Sequence, residues 1–309
     1  MKRIKIAILG FGKIAEDQHV PSIAGNDRFK LVATSSRSGH GVDPVFADWH
    51  ELIRSVDGLE AVAITTPPGP RYDIARECIL AGFHCLLEKP PAAGLAQIND
   101  LACLAEAENV TVFTTWHAQN NPAVDEAARL LAGKRSKSMS VRWHENVHKW
   151  HPGQNWIFEP GGFGVFDPGI NAFSVITKIF PGAVFVRGAD LQVPENAHAP
   201  IAAKIELGSP AADGPLSVSF DFRWSDEEEW TIDLETADGT DLRLEKGGAR
   251  LFVNGTEQEC HGPGEYPDIY RIFAELIDER RSLVDVAPFR LVADCLLIGK
   301  TTKVEPIFM

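Results

Sequence analysis

The sequence has little of what would mark a membrane, secreted or nucleic-acid-binding protein. Its 309 residues contain no run of about 18 apolar residues, the length needed to cross a bilayer. Cysteines number only five, an odd count, and no two are spaced C-x-x-C, which argues against a disulfide framework and a structural zinc site. The apolar run Ile6–Leu9 after the basic N-terminus meets Gly10 at once and is too short for a secretory signal. We therefore expect reduced thiols and a cytoplasmic location.

Positive charge is also in deficit. Thirty Lys+Arg against 43 Asp+Glu give a net charge of −13. Proteins that bind nucleic acids or membrane surfaces generally do so by neutralising phosphates or anionic lipids with basic residues. The sequence therefore predicts no nucleic-acid or membrane partner, although a local basic pocket for a small anion remains compatible with this balance.

The composition itself is that of a folded globular protein. Apolar residues make up 44% and charged residues 24% of the chain, close to the usual averages. At about 150 residues per domain, this length predicts two domains or one large one.

The first 120 residues alternate between apolar runs and helical patterns. The predicted strands are Ile4–Leu9, Lys30–Thr34, Ala61–Thr65, His84–Leu87 and Val110–Thr115. The predicted helices are Ile14–Ala24, Asp48–Ser55, Arg71–Ala81 and Leu95–Glu108. Strands that are apolar throughout and alternate with helices are typical of a parallel sheet covered on both faces. The sequence therefore predicts an N-terminal doubly wound (Rossmann) α/β domain over residues 1–120.

The pattern changes in the second part, residues 121–309. Asn121-Pro122 opens a predicted helix to Ala132, and three further helices are predicted at Ala172–Ile179, Tyr266–Glu279 and Pro288–Lys300. The predicted strands are Met139–Val147, Val184–Val193, Ile201–Glu206, Leu216–Arg223, Trp230–Glu235, Asp241–Leu244 and Arg250–Val253. We expect a substrate-binding and oligomerisation domain with an open, mostly antiparallel sheet. Whether a C-terminal helix packs back on the first domain stays open.

A glycine motif lies between the first strand and the first helix. Gly10-Phe11-Gly12-Lys13-Ile14-Ala15 reads G-x-G-x-x-A, in which Gly10 allows a tight turn and Gly12 lets the backbone approach a pyrophosphate. The free N–H groups at the helix start, including those of Lys13 and Ile14, suit that anion. The motif predicts a bound dinucleotide; the alternative is a glycine-rich turn without a ligand.

The end of the second strand indicates which dinucleotide. NAD-binding folds usually place an acidic residue here to bind the ribose hydroxyls, but this strand ends Ser35-Ser36-Arg37 and no acidic residue follows before Asp43. The Ser36 hydroxyl and the Arg37 guanidinium suit a 2′-phosphate. We expect NADP to be preferred and NAD tolerated; the alternative is that Arg37 is a solvated surface residue.

Two further strand ends carry candidate residues. Thr65-Thr66-Pro67 lies where the nicotinamide half of a dinucleotide is commonly placed, although a merely rigid connection is an equal alternative. Glu88-Lys89-Pro90 follows strand His84–Leu87, and a lysine there can stabilise a developing alkoxide. The alternative is a surface Glu–Lys pair before a turn.

The combined motifs resemble a known family. G-x-G-x-x-A, Glu88-Lys89-Pro90 and Gly161-Gly162 followed by Asp167 are similar to the motifs of the glucose–fructose oxidoreductase/inositol dehydrogenase family. The long segment Trp150–Asn171 and Thr115-Trp116-His117 resemble its bacterial aldose 1-dehydrogenases, which act on L-arabinose and D-galactose. The resemblance covers essentially the whole chain. It implies oxidation of an aldopyranose at C1 to the lactone, with the sugar bound between the domains and hydride passing to NADP or NAD.

The resemblance also implies catalytic roles. Many family members place a His four residues after the motif Asp, whereas this chain has Asn171 four residues after Asp167. Asn cannot act as a base, so Asp167 becomes the candidate for accepting the proton of the anomeric hydroxyl, with Asn171 orienting it. Lys89 would polarise the hydroxyl and favour the ionised Asp167. The alternative for Asp167 is a helix N-cap before Pro168.

An aromatic and polar segment supplies candidates for sugar recognition. Glu145 and His151 are expected to read hydroxyls, and Trp150 and Trp156 to pack against C–H faces. By resemblance His117 also faces cofactor and substrate. For each His the alternative is a hydrogen-bonded structural role. The nearby Trp143 could equally belong to the core.

Other functions are compatible with parts of the sequence. His144, His148 and His151 lack the spacing of a metal site, so no metal is expected. The resemblance makes self-association through the C-terminal sheet possible. The alternatives to an aldose dehydrogenase are a family member acting on another polyol, imine or nucleotide sugar, and a non-catalytic dinucleotide-binding regulator.

Overall fold

The protein folds into two compact units. A computed structural model describes residues 3–309. The first unit contains the chain up to His117 together with Gly264–Val286, and the second contains Ala118–Pro263 together with Ala287–Met309. The chain therefore returns to the first unit for one late segment before it completes the second. No helix in the described residues is long and apolar enough to cross a membrane.

The elements alternate in the first unit and are mainly strands in the second. The strands are β1 (Ile4–Leu9), β2 (Phe29–Ser35), β3 (Val45–Phe46), β4 (Ala61–Ile64), β5 (His84–Leu87), β6 (Val112–Thr114), β7 (Ser136–His144), β8 (Phe185–Pro194), β9 (Ala202–Gly208), β10 (Leu216–Asp221), β11 (Glu229–Thr236), β12 (Asp241–Glu245), β13 (Arg250–Val253), β14 (Thr256–Gln258) and β15 (Lys300–Val304). The α-helices are α1 (Val20–Ala24), α2 (Trp49–Ser55), α3 (Pro68–Leu80), α4 (Leu95–Ala107), α5 (Pro122–Leu131), α6 (Val147–Trp150), α7 (Phe166–Ile179), α8 (Glu265–Asp278) and α9 (Ala287–Ile298). A π-helix, Ala15–His19, leads directly into α1.

The first unit is a doubly wound domain. Its six strands lie in the order β3-β2-β1-β4-β5-β6, and every neighbouring pair is parallel. This order places the carboxyl ends of the strands at one edge, with the change of direction beside β1. The predicted Rossmann fold is confirmed.

Both faces of this sheet are covered. Ile6 and Ile8 of β1 pack in a cluster with Tyr270 and Phe273 of α8, whereas Ala7 and Leu9 point into a second cluster that contains residues of α2, α3 and α4. Since the apolar stripe of α8 covers one sheet face, this late helix belongs to the first unit.

The second unit is built on a nine-stranded sheet. Its order is β14-β13-β12-β11-β7-β10-β9-β8-β15. Two pairs, β7–β10 and β8–β15, are parallel and the others are antiparallel, so the sheet is mixed and mostly antiparallel as predicted. Helices α5, α7 and α9 pack beside strands of this sheet.

Several element boundaries differ from the sequence-based prediction, and three of them bear on the second unit. Helix α7 begins at Phe166 rather than Ala172 and includes Gly169, which packs against the ring of Phe220, where a Cβ would lie only 2.6 Å from ring carbons. Helix α9 ends at Ile298, not Lys300, and Lys300–Val304 forms the edge strand β15. The strand predicted at Met139–Val147 runs instead over Ser136–His144. Glycine and proline near an element end obscured the first of these boundaries.

Candidate functional site

The glycine turn lies at the carboxyl end of β1 and fits tightly against the end of β4. Gly10 has φ +92°, and a Cβ there would lie 2.5 Å from Cγ2 of Thr66. The Thr65 hydroxyl donates to the Gly10 carbonyl at 2.7 Å. A residue without a side chain is therefore required at position 10 by both backbone conformation and space.

The helix start beyond this turn offers unpaired donors. Gly12, Lys13 and Ile14 are exposed, and their amides donate to no acceptor among residues 3–309. A Cβ on Gly12 would meet nothing within 4 Å, so the backbone is open to an approaching group. Such amides at a helix start bind anions. The Lys13 ammonium is paired with Asp17.

The neighbouring Thr66 adds a second open position. Its Oγ1 is buried and makes no hydrogen bond within the described chain. A buried hydroxyl without a partner is uncommon and is readily explained by a ligand that supplies one. The unpaired amides and this hydroxyl, all at the carboxyl edge of the sheet, fit the phosphates and ribose of a dinucleotide.

The end of β2 places Ser36 and Arg37 at the same edge. Ser36 is buried, and its Oγ lies 2.8 Å from Oγ of Ser38. Arg37 is exposed, and no hydrogen bond or ion pair joins it to another residue that the structure describes. Its guanidinium is thus available to a phosphate.

Arg71 connects the segments that follow β4 and β5 through hydrogen bonds. It lies in α3, a helix that begins after Pro67, and its side chain is buried. Its guanidinium donates to the carbonyls of Thr66, Glu88 and Pro90. Sequence reasoning missed Arg71, because its acceptors are backbone carbonyls, which carry no sequence signal.

The Glu88 carboxylate is fully paired inside the first unit. The residue is only 3% exposed. Oε1 lies 3.1 Å from Nε2 of His19 and accepts from the Tyr266 hydroxyl at 2.9 Å, and Oε2 accepts from the Lys89 amide at 2.9 Å. The Tyr270 hydroxyl lies 2.7 Å from Nδ1 of His19. We call His19, Glu88, Tyr266 and Tyr270 the Glu88 cluster.

These partners hold the carboxyl in its charged form. Burial alone would raise the pKa of Glu88, but the hydrogen bond and charge of His19, with the charges of His117 and Arg71, lower that pKa to about 2. Glu88 is therefore an anion across the physiological range and is not available as a proton acceptor. The half-buried Lys89 follows it in the chain.

His117 ends the first unit beside the Glu88 cluster. Its Nδ1 lies 3.0 Å from Oε2 of Glu265, and its ring stacks on Tyr266 with centroids 5.6 Å apart. Burial lowers the pKa of His117, but the charge and hydrogen bond of Glu265 outweigh it and the net pKa is raised. His117 is thus held in place as a cationic or hydrogen-bonding group.

In the second unit, helix α7 brings Asp167 and Asn171 onto one face, four residues apart. Asp167 is 5% exposed and Asn171 9%. The residue at the N-cap is Val165, so the alternative that Asp167 caps the helix is wrong. The buried Oδ1 of Asn171 accepts no hydrogen bond in the described chain. Both residues therefore lie in the first turns of a buried helix, with one polar atom left open.

His151 faces this helix start. Its Nε2 lies 3.6 Å from Oδ2 of Asp167, and Nδ1 lies 3.4 Å from Oε1 of Gln154. Gln154 Oε1 also accepts from the indole of Trp156 at 3.1 Å. We call His151, Asp167 and Asn171 the Asp167 cluster. Gln154 was not predicted, although it lies within the segment that carried the family resemblance.

Glu145 and Trp150 meet through a tryptophan that the sequence did not single out. The Trp230 indole donates to Oε2 of Glu145 at 2.9 Å, and its ring lies 5.6 Å from the half-exposed ring of Trp150. Trp143 is buried and packs beside Trp230, in line with the core alternative. Trp230 lies on β11 beside β7, a pairing that only the sheet register shows.

Metal ligands do not cluster here. No group of three His, Cys, Asp or Glu that could hold a metal occurs within residues 3–309. His144 is instead bonded to Ser219 at 2.9 Å and lies 3.2 Å from Glu229. The described cysteines are all free.

Comparison with known proteins identifies the family of this chain. Residues 4–116 match the model of an oxidoreductase family with an NAD-binding Rossmann fold. The whole chain is 40% identical over 310 aligned positions to a galactose 1-dehydrogenase from Pseudomonas fluorescens, and covers 100% of both proteins. The protein belongs to this oxidoreductase family.

Solved structures support the assignment of the family. The crystal structure of a D-galactose-1-dehydrogenase from Rhizobium etli matches with a TM-score of 0.92 and 44% identity, covering 100% of this chain and 99% of that one. A 3-ketoreductase from Actinomadura kijaniata, solved with TDP-benzene and NADP, shares the fold at a TM-score of 0.81 but only 14% identity, with 98% and 100% covered. The family's oxidoreductase character and its Rossmann fold are thus those of this chain.

Proposed function

We propose that this protein oxidises an aldopyranose, D-galactose or L-arabinose, at C1 to the aldonolactone and passes the hydride to NADP or NAD. The observation that carries the proposal is the similarity over the full chain, at 40% and 44% identity, to two galactose 1-dehydrogenases. The two sugars share the configuration of C2–C4 and differ at the C5 substituent, so one site can accept both. A cytoplasmic location fits free thiols.

Asp167 is the proposed proton acceptor. It is an almost fully buried carboxylate on a helix start, where the helix dipole favours negative charge. Removing the proton from the C1 hydroxyl makes the carbonyl as the C1–H bond breaks. A bound nicotinamide cofactor would supply the acceptor for the hydride that leaves C1. His151, whose Nε2 lies 3.6 Å from Oδ2 of Asp167, is proposed to hydrogen-bond a neighbouring sugar hydroxyl.

Asn171 and the surrounding aromatic residues are proposed to orient the sugar. The open Oδ1 of Asn171 can accept a hydrogen bond from a sugar hydroxyl. The rings of Trp150 and Trp156 can pack on its C–H faces, and Glu145 can accept from a hydroxyl. The departure from the family's His at position 171 leaves Asp167 as the base.

Lys89 and the strand-end residues of the first unit are proposed to serve the cofactor side. Lys89 stabilises negative charge on the reacting oxygen, and His117 contributes to binding. The amides of Gly12–Ile14 would hold the phosphates, and Thr65, Thr66 and Pro67 would contact the nicotinamide half. Because Ser36 and Arg37 suit a 2′-phosphate, NADP is the preferred cofactor.

Absorbance at 340 nm tests this function. The purified protein is mixed with NADP or NAD and, in turn, D-galactose, L-arabinose, D-glucose and myo-inositol. We expect reduction with the first two sugars and a higher kcat/KM with NADP. Measurable cofactor binding without reduction by any aldose would contradict the proposed activity, and reduction with myo-inositol alone would indicate a polyol dehydrogenase.

A further inference from the structure

The Glu88 cluster has no assigned role, although it is buried, charged and adjacent in sequence to Lys89. Its carboxylate accepts from His19, Tyr266 and the Lys89 amide. A buried charge destabilises the folded state unless its polar atoms are all hydrogen-bonded. Apolar residues alone would be enough to cover a sheet face, so packing does not require this set of hydrogen bonds. The cluster is therefore a candidate for a function beyond packing.

The Lys89 backbone is held from both sides. Oε2 of Glu88 binds its amide at 2.9 Å, and the Arg71 guanidinium donates to the carbonyls of Glu88 and Pro90 on either side of it. The direction in which the Lys89 side chain leaves the backbone is thus determined by these contacts. An error of about 1 Å in placing a reacting group can cost about 100-fold in rate.

The other end of the cluster is anchored in two helices. His19 is the last residue of the π-helix that follows the glycine turn, and it is fully buried. A π-helix turn is unusual and is found frequently at functional sites. Tyr266 and Tyr270 lie one turn apart on α8. This helix belongs to the late segment Gly264–Val286 of the first unit. The π-helix that follows the glycine turn, α8 and Lys89 are therefore joined by one set of hydrogen bonds.

We propose that Tyr266 and His19 are positioning residues for Lys89, acting through the Glu88 carboxylate. This proposal rests on the proposed function in that it takes Lys89 to act on the reacting oxygen. Tyr266 would hold Oε1 of Glu88 directly, His19 would hold the same oxygen, and Tyr270 would act one bond further away through His19. The remaining oxygen is then directed at the Lys89 amide.

The three tyrosines of the chain provide a graded test. Tyr266→Phe removes the hydroxyl on Glu88 and keeps the ring that stacks on His117. Tyr270→Phe removes the hydroxyl on His19. Tyr72→Phe is the matched control, because its hydroxyl also binds a carboxylate, Asp100 at 2.8 Å, but on the surface.

Two readouts are measured for each variant. The first is kcat and KM with sugar and cofactor, for which we expect kcat to fall about 10-fold in Tyr266→Phe, less in Tyr270→Phe and not at all in Tyr72→Phe, with KM for the cofactor little changed. The second is the acetylation rate of Lys89 in the protein without cofactor, measured by peptide mass spectrometry relative to the exposed Lys13. We expect this ratio to rise severalfold in Tyr266→Phe, because Lys89 is held less firmly.

The outcomes separate the two proposals. Unchanged kcat and unchanged Lys89 acetylation in Tyr266→Phe and Tyr270→Phe would overturn the positioning role, as would a lower Tm with neither readout altered. If the wild-type protein reduces neither cofactor with any sugar, the proposed function fails, yet the acetylation ratio still decides whether the cluster positions Lys89. If Tyr266→Phe does not fold, kcat and Lys89 acetylation in Tyr270→Phe are compared with those in Tyr72→Phe instead.

Discussion

The two polar clusters differ in whether they contain a buried polar atom without a hydrogen bond. In the Glu88 cluster both carboxylate oxygens and both ring nitrogens of His19 have partners at hydrogen-bond distance. In the Asp167 cluster, by contrast, the buried Oδ1 of Asn171 accepts no hydrogen bond within the described residues. Completed networks hold a structure rigid, whereas open polar atoms in a buried place await a ligand.

This difference indicates a division of labour within one protein. The Glu88 cluster is preorganised and costs nothing further when ligands bind. In the Asp167 cluster, Oδ1 of Asn171 is available to accept a hydrogen bond from a substrate. Substitutions in the first should therefore alter stability or geometry, and substitutions in the second should alter chemistry at nearly constant stability.

The largest expected effect is on catalysis in the Asp167 cluster. Asp167→Asn removes the proton acceptor and keeps the shape, so kcat with sugar is expected to fall by about 100- to 10,000-fold. Cofactor affinity, measured by fluorescence titration, and Tm should be nearly unchanged. Asp294→Asn on the exposed side of α9 is the control. An unchanged kcat would show that Asp167 is not the proton acceptor. It would also contradict the proposed difference between the two clusters.

The next effect concerns acid stability in the Glu88 cluster. Because the pKa of Glu88 is lowered from 4.5 to about 2, its charged form stabilises the folded state above pH 4.5, and this stability is lost as the pH falls from there toward 2. This pKa shift contributes at most about 3 kcal/mol to the free energy of unfolding. Glu88→Gln should therefore be less stable than wild type at pH 7, and the gap should narrow at about pH 3.5.

Urea unfolding at the two pH values measures this gap. The control is Glu106→Gln, an exposed residue of α4. A gap that stays constant with pH would show that Glu88 contributes packing rather than charge, and the contrast with the Asp167 cluster would then rest on geometry alone.

The smallest expected effect is on cofactor preference and concerns Arg37, which follows β2. Arg37→Ser removes the exposed guanidinium after β2, and KM for NADP is expected to rise about 10-fold while KM for NAD changes little. Arg54→Ser on the exposed side of α2 is the control. Equal changes for both cofactors would show that Arg37 does not read the 2′-phosphate.

The positions of the candidate residues could be predicted from the sequence where a polar residue or a glycine follows a predicted strand. Gly10, Thr66, Arg37 and Lys89 each follow a buried apolar run, and parallel strands bring such ends to one edge. Asp167 and Asn171 depended on a family resemblance, since an Asp-Pro pair by itself suggested a cap. Trp230 was not foreseeable, because its contact with Glu145 depends on the pairing of β11 with β7.

The sequence alone determined the class of the protein: the alternation of buried strands and helices, the glycine turn, and the mostly antiparallel second sheet are local patterns of polarity and backbone freedom. The tertiary structure decided what is paired with what. It returned α8 to the first unit, where its apolar stripe covers the sheet and its tyrosines reach His19 and Glu88. It also placed the buried Arg71 on three backbone carbonyls. Such contacts join residues up to 251 positions apart, and long-range pairing is set by packing and not by local sequence.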